Sequence, residues 1–218
     1  MDKKPTHLTF FDLDETLLTV NSGFKFGLFL FRERVLPLSR LFYLFGYYFR
    51  FKLGLITPKE VNERACSLFL NGLELNFLES YVAKFLDSNL DKWINPQVID
   101  HLVDAQKKGH YTTILSSSPE FLVKQIKTRL GIDEWGATEY YVNVSGIVSG
   151  IKTHMGGEEK ANYLIALCKS FNLEVGDTTA YSDSIVDLPF LQAAGFAVAV
   201  NPDKKLRQLA LANNWKII

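Results

Sequence analysis

An α/β fold with a mainly parallel central sheet, interrupted near its start by a helical block, is what this sequence predicts. Three observations carry that reading. A short apolar run, His7-Leu8-Thr9-Phe10-Phe11, ends in two carboxylates one residue apart, Asp12 and Asp14. From about residue 92 onward, strand-like runs alternate with helix-like ones, the pattern of helices covering both faces of a parallel sheet. Between about residues 21 and 91 only helical patterns occur. The expected division is therefore a core from residues 1–20 and 92–218 and a helical insertion at 21–91.

The elements follow in order. The first helix is expected from Ser22, read as an N-cap, towards Arg34, and the second after Pro37. Thr57-Pro58-Lys59-Glu60 announces the third, with a cap residue, a proline at the first helical position and an acid in the first turn. The fourth starts near Glu74 and carries apolar residues at Phe77, Leu78, Tyr81, Val82, Phe85 and Leu86, a helical repeat. After Asn95-Pro96 a helix to Lys108 stops at Gly109, and a strand, Tyr111 to Leu115, follows. A helix after Pro119 leads to a hairpin, Glu139 to Val144 with Ile147 to Ile151, turning at Ser145-Gly146. A helix from Glu158 to Phe171, strands Thr178 to Tyr181 and Phe196 to Val200, and a last helix complete the series.

Composition narrows the function classes. The 218 residues carry zero formal net charge, so no broad basic excess points to nucleic acid. Cys66 and Cys168 lie far apart in helical patterns and read as small buried hydrophobes rather than a disulfide. Met-Asp-Lys-Lys-Pro runs straight into a strand, not into the apolar core of a leader, so a cytoplasmic location is expected. From Phe24 to Ile56 the chain is crowded with Phe, Leu and Tyr, but Lys25, Arg32, Glu33, Arg34, Pro37, Arg40, Arg50 and Lys52 interrupt it. No uninterrupted apolar span there can cross a bilayer.

Two like charges at a strand end call for a metal ion or acid/base chemistry; the plainer alternative is a helix cap at Asp14. Three further groups fall at strand ends or helix starts. Ser116-Ser117-Ser118 offers hydroxyls and backbone N–H groups to an anion, or simply caps a helix. Lys160 sits in the first turn of a helix, where the dipole disfavours a cation unless an anion is bound. Asp183 and Asp187 form a second carboxylate pair after strand Thr178 to Tyr181.

Taken together and in this order, Asp12-Leu13-Asp14-Glu15-Thr16, Ser116, Lys160 and Asp183 to Asp187 resemble the four motifs of the haloacid dehalogenase superfamily. The likeness covers nearly the whole chain, and the insertion after the first motif is similar to that family's helical C1 cap. Ser116-Ser117-Ser118-Pro119, Leu130-Gly131-Ile132 and Tyr181-Ser182-Asp183-Ser184 resemble its phosphoserine-phosphatase-like branch, subfamily IB. The resemblance implies a Rossmann-like core and a Mg²⁺-dependent phosphomonoester phosphatase. Asp12 would be the nucleophile and Asp14 the acid that protonates the leaving alcohol and then activates water. Mg²⁺ would be held by Asp12, Asp183 and the backbone carbonyl of Asp14, with Asp187 behind them holding a metal-bound water or Lys160. Ser116, Ser117 and Lys160 would hold phosphoryl oxygens. Ser182 stands where glycine is common in the superfamily, which leaves that loop's geometry open.

Substrate identity is expected to rest with the insertion. Glu33 or Glu60 with Arg64 are candidates to read a phosphoserine, set against ordinary solvated helix charges. The aromatic block either packs a small core or offers an apolar patch to a lipid-like phosphate, a homodimer partner or a membrane surface, with Arg40, Arg50 and Lys52 meeting headgroups. A phosphomutase, or a module that binds a membrane or a lipid phosphate without turning it over, remains the alternative.

Overall fold

The computed structural model describes residues 4–218, with the backbone alone at Leu38, Leu41, Leu44, Lys52, Pro58, Val61 and Asn62. Strand β1 (Leu8–Phe11) is buried on both faces, as a mostly apolar run inside a parallel sheet should be. It lies between two parallel neighbours, β2 (Tyr111–Pro119) and β5 (Thr178–Ser182). With β3 (Glu134–Val142), β4 (Val148–Thr153), β6 (Phe196–Ala199) and β7 (Lys216–Ile217) these strands make one sheet of order β4-β3-β2-β1-β5-β6-β7. Its pairings are parallel except that of β3 with β4. Successive side chains of β1 serve opposite faces: Phe10 belongs to a cluster with Leu164, Phe190 and Leu206, and Phe11 to a larger one with Leu122 and Ile126.

In chain order, helices α1 (Ser22–Arg32), α2 (Leu38–Lys52), α3 (Pro58–Ala65) and α4 (Leu75–Trp93) are inserted between β1 and β2. Their apolar residues Phe26, Leu30, Val82 and Phe85 share one continuous core with Phe11 and the sheet. The connections into and out of this block pair with each other: Thr19 N–H donates to the Trp93 carbonyl (2.7 Å) and Asn95 N–H to that of Leu17 (2.9 Å). The N-cap of α1 is Asn21, whose side chain accepts the Phe24 N–H at 2.8 Å, and not Ser22 as expected. Ser22 is buried one position further on, and its own N–H is committed elsewhere. At α3 the expected cap holds: Thr57 Oγ1 accepts from the Glu60 N–H, and Glu60 accepts the Thr57 N–H at 2.7 Å.

The remaining helices are α5 (Pro96–Lys107), α6 (Glu120–Arg129), α7 (Gly157–Phe171), α8 (Leu188–Ala193) and α9 (Lys204–Ala212). α4 docks on α6 through an Arg129–Asp87 ion pair at 2.6 Å and a Gln125 side chain donating to the Glu79 carbonyl. Two strand boundaries differ from expectation. β2 runs on through the three serines to Pro119, and β3 starts at Glu134 because Glu134 to Thr138 pair with β2 before the hairpin begins. Gly136 breaks the strand-like pattern of that segment, yet a Cβ there would come 2.9 Å from the Leu115 side chain. The hairpin then reaches back to the helical block, where the Leu75 N–H meets the Gly146 carbonyl at 2.8 Å. Cys66 and Cys168 are buried and unbridged. No described helix is long and apolar enough to cross a membrane.

Candidate active site

The chain leaves the sheet at Asp12 through a tight loop with i→i−5 bonds, from Leu17 N–H to Asp12 O and from Leu18 N–H to Leu13 O. The strand itself does not continue past Asp12: Asp14 is again extended (φ −78°, ψ 128°), but Glu15 adopts a left-handed backbone (φ 63°). Asp12 and Asp14 nevertheless line one cavity of about 150 Å³ at the carboxyl end of the central strands, together with Ser117, Lys160, Asp183 and Asp187. The expected groups thus converge from three separate strand ends and one helix start.

Lys160 is the centre of this floor. It is nearly fully buried, and its ammonium lies 2.6 Å from Asp12 Oδ1 and 2.7 Å from Asp187 Oδ2. Burial alone would lower its pKa, but the two carboxylates outweigh burial and hold it above the ordinary lysine range. Gly157 makes the approach possible: a Cβ there would stand 2.4 Å from the Val186 carbonyl oxygen. Glycine at this point lets the start of α7 close on the loop that carries Asp187. Ser182, in the place where glycine is common, donates its hydroxyl to Asp187 Oδ2 at 2.7 Å. The serine therefore locks the loop rather than loosening it.

Asp14 is held differently. Its Oδ1 accepts the backbone N–H of Ser22 at 2.7 Å and its Oδ2 the hydroxyl of Ser118 at 2.6 Å. It caps the first turn of α1, so the plainer capping alternative is partly correct, though for a different helix and through tertiary contact. Burial raises its pKa, partly offset by these hydrogen bonds. Burial also raises Asp12, opposed by Lys160 and reinforced by Asp187 and Asp183. Asp183 is pushed up to about 7 by burial, Glu15 and Asp187, and accepts a hydroxyl proton from Thr16 at 3.3 Å.

Ser116 is buried, pairs with Ala137 of β3 and accepts the Ser118 N–H at 3.1 Å; Ser117, not Ser116, lines the cavity. Ser118 and Ser22, whose hydroxyls lie 3.2 Å apart, were not singled out by the sequence. Their signal was present only as the third serine of the run and a helix start. Glu33, Glu60 and Arg64 are exposed and line neither this cavity nor its neighbour.

Among the described residues no group of three or more His, Cys, Asp or Glu side chains is gathered as a metal cage. The donor set still fits a hard cation of the Mg²⁺ kind, which takes one or two carboxylates plus carbonyl, substrate and water oxygens. The cavity gathers Asp12, Asp14, Glu15, Asp183 and Asp187 around one lysine, and Asp183 is raised by burial first and then by the neighbouring Glu15 and Asp187 charges.

A second cavity, of about 140 Å³, adjoins the first and shares Asp14, Asn21, Phe51 and Ser117 with it. Its walls are otherwise mostly apolar, among them Phe24, Leu30, Phe69 and Leu70.

A mainly parallel α/β sheet thus carries an acid pair, a buried lysine and a second acid pair at one rim. The chain belongs to the haloacid dehalogenase-like hydrolase family, whose pattern matches residues 9–192. It is 30% identical over 235 residues to the phosphoserine phosphatase SerB1 of Mycobacterium tuberculosis, covering 99% of this chain and 73% of that one. A protein of unknown function from Bordetella pertussis Tohama I has the same fold, with a TM-score of 0.87, 24% identity and 98% of each chain covered. A phosphoserine phosphatase solved as a phospho-aspartyl intermediate analogue superposes with a TM-score of 0.71 at 18% identity, covering 98% of this chain and 93% of that one. The chain is thus a phosphoric monoester hydrolase of the phosphoserine-phosphatase-like kind.

Proposed function

We propose that the protein is a Mg²⁺-dependent phosphomonoesterase working through an aspartyl-phosphate, with residues 21–91 acting as a cap over the site. The Asp12–Lys160–Asp187 array beside the separately held Asp14 is the observation that carries this reading. Mg²⁺ would be held by Asp12, Asp183 and the backbone carbonyl of Asp14, and would supply charge neutralisation when bound. A carboxylate oxygen of Asp12 attacks phosphorus while the ester P–O bond breaks. Asp14, whose pKa burial raises, gives its proton to the departing alkoxide. It then takes a proton from water, whose oxygen attacks phosphorus, freeing Asp12 and inorganic phosphate. Lys160 and the Ser117 region hold phosphoryl oxygens, and Ser116 shapes that turn from beneath through the Ser118 N–H. The phosphoserine phosphatase captured as a phospho-aspartyl intermediate analogue supports the covalent step by family likeness.

The alcohol portion of the substrate would occupy the adjoining cavity. Asp14 is the one charged residue among its described lining. A phosphoserine would leave its carboxylate without a cationic partner among the described lining, which costs more than an apolar group would. The reading is therefore an organic phosphate with an apolar alcohol, small or lipid-like. A location in the cytoplasm, with peripheral contact to a membrane or to a second copy through the aromatic helices, is consistent with that alcohol.

The test is p-nitrophenyl phosphate hydrolysis with and without Mg²⁺, combined with acid-quench trapping of phosphoprotein. Wild-type enzyme should require the ion, and Asp14→Asn should lose about a hundredfold or more in turnover with the fold intact. Unchanged turnover in Asp14→Asn, or no Asp12-dependent phosphoprotein, would sink the mechanism.

A further inference from the structure

The helix α2 presents apolar residues on two opposite sides. Tyr47, Tyr48 and Phe51 face inward and line the apolar cavity. Phe42, Phe45, Phe49 and Leu53, spaced by three, four and four residues, fall on one stripe of the other side. They are 71%, 50%, 64% and 57% exposed. A Cβ built on Gly46, within the same stripe, meets no described atom within 4 Å. Tyr43 and Leu55 extend the patch, so exposed apolar bulk is concentrated here while most other instances are scattered along the chain.

The charge around this stripe is one-sided although the whole chain is neutral. Residues 24–56 carry Lys25, Arg32, Arg34, Arg40, Arg50 and Lys52 against the single acid Glu33. Arg50 is exposed beside the stripe, and Arg32 and Arg34 are exposed where the chain turns from α1 towards α2. The side chain of Lys52 lies outside the described residues. An aromatic stripe edged by cations, on a helix that does not span, matches the chemistry of an anionic lipid interface. A symmetric pairing of two copies through the same stripe would instead bring like charges together.

We propose that the outward face of α2 docks the protein on an anionic membrane surface, with Phe42, Phe45, Phe49 and Leu53 in the headgroup–acyl boundary and Arg50 on the lipid phosphates. This names the partner of the proposed phosphatase, and rests on that reading only for the purpose of the contact. Docked in this way, the enzyme could take a phosphomonoester whose apolar portion remains in the lipid.

Cosedimentation with vesicles of phosphatidylcholine, alone or mixed with phosphatidylglycerol, tests it, with p-nitrophenyl phosphate hydrolysis measured on the same samples. The full chain should pellet with the anionic vesicles, far less with phosphatidylcholine alone, and less as salt is raised. Phe42→Ser/Phe49→Ser and, separately, Arg50→Glu should each weaken binding by about tenfold or more, leaving soluble-substrate turnover unchanged. No binding at low salt overturns the proposal, as does binding that both variants retain. A wild-type dimer in solution that the double substitution dissociates, without any vesicle binding, would assign the face to a second copy and overturn it too. Vesicle binding without phosphatase activity would leave the docking standing and overturn the phosphatase reading.

Discussion

The cavity floor and the outer face of α2 treat charge and apolar surface in opposite ways. On the floor, charged groups are buried and paired: Lys160, Asp12 and Asp187 are nearly inaccessible, and the lysine lies within 2.7 Å of each carboxylate. On α2, aromatic rings are left in water with guanidinium groups nearby. Both arrangements run against the ordinary distribution of residue types, and neither is explained by stability. Buried ions cost desolvation that their pairing only partly offsets, and exposed rings forgo burial. On the proposed reading both departures follow from what is bound: at the floor a charged group, at the outer face an apolar one.

The two regions should therefore respond to substitution differently. The largest effect expected is at the floor: Asp12→Asn should reduce kcat on p-nitrophenyl phosphate by about a thousandfold or more, because the nucleophile is gone. Thermal melting should be little changed, since Lys160 keeps Asp187 as a partner; residual activity within tenfold of wild type would break the contrast. Next, Lys160→Met should lower unfolding free energy in urea by about 3 kcal/mol, as it leaves two buried carboxylates unpaired. Phe42→Ser on the outer face should change it by less than about 0.5 kcal/mol. Equal losses from the two would mean that the outer rings are packed after all.

The apolar cavity lies between these extremes. Ala65→Phe narrows it from the end of α3, and should raise KM for long-chain alkyl phosphates by about tenfold while acetyl phosphate turnover stays near wild type. A matching loss on both substrates would show that the cavity does not hold the alcohol.

The smallest effect expected lies at the amino-terminal edge of the sheet, remote from both regions. The His7 and His110 rings pack at a tilt of 41° with centroids 4.4 Å apart, and burial depresses both pKa values below 6.5. A depressed histidine is neutral in the folded state while the unfolded chain still takes up protons. The stability it contributes is therefore complete above about pH 6.5 and is lost as pH falls from there to the folded value. His110→Gln should flatten that part of the urea-midpoint profile by less than about 1 kcal/mol. An unchanged slope would remove the pair from the acid response.

Most of the core architecture was legible because its residues obey local rules. The mostly apolar run of β1, the proline and capping pair at Thr57-Pro58, and the repeat of α4 each predicted the element that forms. The misreadings occurred where distant contacts override local preference. Ser116 to Ser118 look like a cap but are carried on as strand by their pairing with β3. Ser22 loses the cap of α1 to Asn21, and α8 follows Asp187 without an outward periodic cue. Of the site, the acids and the lysine could be named in sequence; Ser118, Ser22 and Ser182 could not, because nothing local marks a hydroxyl that will meet a carboxylate.

The paired aspartates, the serine run, the buried lysine and the second acid pair, in that order, determined the family and the inventory of reacting groups. That much follows from residue type and spacing, since carboxylates, an ammonium and hydroxyls have fixed chemistry wherever they stand. Tertiary structure alone decided their division of labour. Lys160 sits between Asp12 and Asp187 because Gly157 lets two backbones touch, and Asp14 is tied to α1 through Ser22 and to β2 through Ser118. It also decided which aromatic rings line a cavity and which face water, since the one helix α2 supplies both. Burial is a property of what packs against a residue, and no local pattern in a uniformly aromatic helix specifies it.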